Sequence, residues 1–124
     1  MASTVPFKLI TPAKVVFEGD AELVIAVTTE GEEGILPHHA PFLAALKPGV
    51  LRANVVAEGK TERLELATRQ GFMQALPDRL TILVDEALGF DDVDVAQARE
   101  ELAASNDPDV VDFANAKLRL VGSH

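Results

Sequence analysis

The sequence predicts a mostly β protein with a small α part at its C-terminal end, on three observations. Short apolar, β-branched runs recur up to about residue 88, each stopped by proline, glycine or aspartate. After Gly89 the apolar spacing turns helical, twice, each time behind a capping residue. With 124 residues and 48% hydrophobic side chains, the chain can bury a genuine core.

The elements run in order from the N-terminus. Phe7–Ile10 stops at Pro12, Lys14–Glu18 stops at a turn over Gly19-Asp20, and Glu22–Thr28 ends at the turn-like Thr29–Gly34. Val50–Val56 follows Pro48-Gly49 and pairs with Thr61–Ala67 across a hairpin turn at Glu58-Gly59-Lys60. Phe72–Leu76 and Arg79–Val84 flank a second turn at Pro77-Asp78. Strands this short and regular favour an all-β sandwich or barrel over βαβ units. Asp94-x-x-Gln97 then reads as a capping box, opening a helix through Val95, Ala98 and Leu102 that ends near Ser105-Asn106. Asp107 at the N-cap and Pro108 at the first helical position open a second helix. Its stripe is Val110, Ala114, Leu118 and Val121, and Gly122 suits the position after its end. Two helices of about 12 residues are marginal alone in water, so they must pack as an antiparallel hairpin on something. The boundaries are residues 1–88 for the β domain and 89–124 for the helical hairpin.

Charge narrows the function. Eleven basic against 20 acidic residues give −9, which repels a phosphate backbone and argues against nucleic acid. No cysteine is present, so disulfides and thiol catalysis are excluded. Serine occurs only at positions 3, 105 and 123, histidine at 38, 39 and 124, and tyrosine is absent. The longest apolar runs, Leu23–Val27 and Phe42–Leu46, cannot span a bilayer, and the N-terminus lacks the apolar stretch of a signal peptide. The expectation is a soluble, acidic, intracellular protein with a binding or structural role.

One segment, Gly31–Arg52, is unlike a generic strand pair. Glycines and prolines stiffen an apolar stretch around His38-His39, which reads either as a well-packed corner between sheets or as a fixed presenting surface. The adjacent histidines point to opposite faces of an extended chain, so no metal site is expected. The carboxylate pairs Glu32/Glu33, Asp85/Glu86, Asp91/Asp92 and Glu100/Glu101 fall at turns and helix edges, where charge faces water.

Gly31, Glu32, Gly34, Ile35, Pro37, His39, Ala40, Pro41 and Leu43, followed by Lys47-Pro48-Gly49, resemble the signature of the epsilon subunit of bacterial F-type ATP synthase. Phe17-x-Gly19, shaped like that family's turn, Gly71-Phe72, Leu80–Asp85 and Val93-Asp94 extend the resemblance over roughly residues 5–98. It implies a β-sandwich of about ten strands followed by a helical hairpin, in a non-catalytic central-stalk subunit. The implied partners are the gamma subunit, on one sandwich face, and the c-ring, on the Gly31–Pro41 loop with Glu32 and His39. It further implies no cofactor, a peripheral place on the cytoplasmic face of the cell membrane held only through the complex, and coupling of proton translocation to ATP synthesis.

The family's hairpin either folds on the sandwich or extends into the catalytic head and inhibits ATP hydrolysis. Short alanine-rich helices with few large apolar residues would undock easily. Lys117 and Arg119 are then the implied contacts with the beta subunit, and they are the only Lys or Arg after Arg99, while Glu100-Glu101 has the wrong sign. Some members bind ATP at the folded hairpin through an Asp-x-x-Arg-Ala motif. Here Asp94 and Ala98 match, with Lys117 and Arg119 as further candidates, but Gln97 stands where the arginine would be and supplies no charge. Arg99 lies about 200° around the helix from that position. The alternatives are a free-standing β-sandwich binding module, which would not recover gamma, and a small carboxylate enzyme, which would show turnover.

Overall fold

The computed structural model describes residues 3–122, so Ser123 and His124 lie outside the described residues. The strands are β1 Val5–Ile10, β2 Val15–Thr28, β3 Gly31–Ile35, β4 Phe42–Leu46, β5 Gly49–Ala57, β6 Lys60–Thr68, β7 Gly71–Leu76, β8 Arg79–Val84 and β9 Ala87–Leu88. A short 3-10 turn, Phe90–Asp92, leads to α1 (Val95–Ala104) and α2 (Pro108–Gly122). Nine described strands take the place of the expected ten or so, followed by two helices as predicted.

Strand β2 is the spine. It pairs with β1 along its first half, with β5 in its middle, and with β3 and one residue of β4 near its end. The sheet order is β1-β8-β7-β4-β2-β5-β6-β9, and β1 also pairs β2, so the sheet folds back on itself. Phe7, Leu9, Val24, Ile35, Leu51, Met73, Leu80, Ile82 and Val84 fill the space between its layers. Burial of that kind stabilises by about 1.5–3 kcal/mol per large side chain.

The expected turn at Gly19-Asp20 does not form. β2 runs straight through it, because Gly19 has no Cβ and the Phe17 ring fills that space, 3.0 Å from where a Cβ would stand. Phe17 also packs on Phe7, 5.5 Å between ring centres, so the Phe-x-Gly pattern marks an aromatic covering a strand glycine.

Gly31–Ile35, expected in a loop, is instead a strand. The Thr28 hydroxyl donates to the Gly31 carbonyl at 2.8 Å and accepts from the Glu30 amide, closing a tight β2–β3 hairpin. Gly31 takes φ 122°, open only to glycine. The predicted β5–β6 turn does form, with Glu58 and Gly59 both at positive φ, as a two-residue hairpin of matching twist requires.

Asp94 caps α1, accepting from the Gln97 amide, and Asp107 caps α2, accepting from the Asp109 amide at 2.9 Å. The predicted stripe of α2 is only partly right. Ala114 is buried, but the other fully covered residues are Phe113, Ala116, Lys117 and Leu120, because α2 packs on both α1 and the sheet. Gly122 is still helical.

Candidate functional site

Two outward sheet faces organise the surface. On the layer β4-β7-β8-β1, cross-strand register lines up Ala45, Phe72, Leu83, Ile10 and the first residue of β2, Val15, in one transverse row. Four of them stand open: Phe72 is 58% exposed, Val15 48% and Leu83 46%, and the small Ala45 is exposed as well. One register step away the neighbours are polar: Gln74, Thr81, Lys8 and Glu18, with Leu43 at the end. An exposed apolar row rimmed by polar groups is the signature of an interaction surface. The family resemblance implies a gamma contact on one sandwich face but does not name these residues. The signal is present all the same: Ile82-Leu83-Val84 breaks the alternation that a strand solvated on one side should show.

The opposite face is covered. Val50, Ala67 and Leu88 form the matching row on β5-β6-β9, and Phe113, Ala116 and Leu120 of α2 lie on it. The guanidinium of Arg69 sits 4.5 Å from the centre of the Phe113 ring and donates from Nε to Glu86 at 2.9 Å. Lys117 Nζ lies 4.8 Å from the same ring and 2.7 Å from Glu101 Oε1, joining α2 to α1. Lys47 and Asp112 add an open ion pair at 3.8 Å. With Phe113 and Leu120 fully buried, the docked layer has larger apolar anchors than the alanine-rich reading expected.

Glu32 and His39, the expected c-ring contacts, lie on β3 and in the loop after it, each held by its own partner. Glu32 accepts from Arg52 Nη2 at 2.7 Å. His39 Nδ1 is 2.8 Å from the Leu36 carbonyl, its ring stands edge-on to Phe42, and its Nε2 is buried without a hydrogen-bond partner. His38, at φ 66°, makes the bend that turns His39 inward. Beside this loop, Glu30, Glu32, Glu33, Phe42 and Leu43 border an acidic cleft.

Of the four nucleotide candidates, Asp94 and Ala98 lie at the start of α1, and Lys117 and Arg119 lie on α2. Asp94 spends an oxygen on the Gln97 amide, Ala98 is buried, and Lys117 is bound to Glu101. Arg119 is exposed in the last turn of α2. Among the described residues no group of three histidine, aspartate or glutamate side chains is placed to hold a metal ion, and no helix is long and apolar enough to cross a membrane.

Comparisons with known proteins agree with this architecture. Residues 4–89 match the family described as ATP synthase, Delta/Epsilon chain, beta-sandwich domain. An ATP synthase epsilon chain of Chromobacterium violaceum is 39% identical over 100 residues, covering 81% of this chain and 70% of that one. One from Teredinibacter turnerae is 36% identical over 126 residues, covering 97% and 87%. The fold is shared with a chain in a Euglena gracilis mitochondrial ATP synthase structure, at TM-score 0.66 and 20% identity, over 96% of this chain and 78% of that one. It is shared also with a chain in a Tetrahymena thermophila mitochondrial ATP synthase central stalk and c-ring structure, at 0.62 and 18%, over 98% and 96%. The chain belongs to the epsilon-chain family of bacterial F-type ATP synthases.

Proposed function

We propose that this chain is a non-catalytic rotor subunit that joins gamma to the c-ring and so couples proton translocation to ATP synthesis. It would lie peripherally, on the cytoplasmic face of the membrane, held there through the complex. The observation that carries this reading is the open apolar row Val15, Ile10, Leu83, Phe72 and Ala45, a surface suited to gamma, on a family sandwich whose other face its own helices cover. The β3 end, with Glu32, His39 and the acidic cleft, is then the surface for the polar loops of the c-ring. Residues 1–88 and 89–124 act as a rotor domain and a regulatory hairpin.

The native chain has no cysteine, so single cysteines test this cleanly. In the assembled synthase, Phe72→Cys should crosslink to gamma and Glu32→Cys to a cysteine in the c-subunit loop. Efficient crosslinking of either to the catalytic head, or failure of the chain to co-purify with gamma, would overturn the reading.

The hairpin inhibits ATP hydrolysis when extended, with Lys117 and Arg119 meeting the beta subunit. Inhibition unchanged on deleting residues 93–124 would remove that role. ATP binds the folded hairpin weakly or not at all: Gln97 lacks the charge, and a missing charge-assisted contact costs about 1.5–3 kcal/mol. Calorimetry finding micromolar ATP affinity would refute this.

A further inference from the structure

Lys117 is unusual among the cations of this chain. Lysines normally lay their stems along a surface and keep the ammonium in water. The Lys117 side chain is only 4% exposed, whereas its partner Glu101 keeps 25% of its surface. The ammonium lies between a ring that packs on the sheet, Phe113, and a carboxylate on the outer helix. α1 buries one residue fully, Ala98, and its main packing partner is α2.

We propose that Glu101 is an internal counter-ion that closes α1 over Lys117 and hides this cation from acidic partners. The two halves of the pair are not equivalent. With Glu101 neutralised, a buried ammonium is left unpaired, and it reaches water only if α1 lifts. With Lys117 neutralised, the carboxylate is already partly in water and is solvated where it stands. In the closed hairpin, α2 therefore offers Arg119 alone to an acidic segment of another chain; with α1 lifted, it offers Lys117 as well. Glu101 and that segment compete for one ammonium, so the contact is autoinhibitory. The clasp is a property of the chain by itself, and only its consequence for a partner rests on the rotor reading.

The test uses the purified full chain, acetylated with a lysine-reactive ester and read by peptide mass spectrometry, alongside amide hydrogen exchange. In the parent, Lys117 should label at least about tenfold more slowly than the exposed Lys60. Glu101→Gln should raise Lys117 labelling and α1 exchange by about tenfold or more while strand amides keep their protection. Lys117→Met should change α1 exchange less than about threefold, and combining it with Glu101→Gln should restore parental protection of α1. If Glu101→Gln leaves Lys117 labelling within about twofold of the parent, the clasp is wrong. It is equally wrong if strand exchange rises as much as α1 exchange, because the pair is then general packing. Neither failure touches the gamma and c-ring assignments, which are measured in the assembled complex.

Discussion

The two outward faces of the sandwich carry the same kind of apolar row and meet opposite fates. Val50, Ala67 and Leu88 are capped by Phe113, Ala116 and Leu120 from the same chain. Val15, Ile10, Leu83, Phe72 and Ala45 are capped by nothing among the described residues, and three of them stand about half exposed. Leaving a sheet face this apolar in water is unfavourable, and the molecule covers one of the two itself. The two faces thereby differ: the covered one holds the hairpin, and the open one is the surface proposed for another subunit.

Removing the cover makes the sharpest test. A chain lacking residues 93–124 should still melt cooperatively, since the main core uses no helical residue. With both rows open it should self-associate, which light scattering would detect. Loss of the cooperative melt would mean that the covered face is part of the core.

Phe113→Ala attacks the same contact from one side chain. The ring is buried against the sheet, so its loss should cost about 3–5 kcal/mol of hairpin docking, visible as α2 amides exchanging ahead of the strands. Uniform loss of protection would instead make hairpin and sandwich one cooperative unit. The smallest effect belongs to the open face. Leu83→Asp should change the melting free energy of the isolated chain by less than about 0.5 kcal/mol, yet abolish recovery of gamma in a pull-down. A large destabilisation would show that Leu83 is core after all, and the contrast between the faces would dissolve.

Much of this architecture is written locally. Asp94 and Asp107-Pro108 are caps wherever helices begin, and Glu58-Gly59 can only be a tight turn. The Gly31–Pro41 motif marks the family, and with it the identity of the partners now proposed, without any geometry. Where local signals mislead, long-range partners are the reason. Gly19 reads as a turn until Phe17 is seen to cover it, and Gly31–Ile35 reads as loop until β2 supplies its ladder.

The division between sequence and tertiary structure falls along the range of the interactions. Caps, turns, the alternation of strands and the family signature depend on residues a few positions apart, so the sequence by itself determined a mostly β chain with a two-helix end. Which face of α2 is buried depends on β5 and β6, some 50 residues upstream by the numbering. That is why local spacing favours the stripe through Val110 and Leu118 and misses Phe113, Lys117 and Leu120. The row Val15–Ile10–Leu83–Phe72–Ala45 joins five strands by register alone, which no local pattern encodes. A lysine reads as solvated wherever it occurs; only the fold puts Lys117 out of water, with Phe113 and Glu101 against its ammonium.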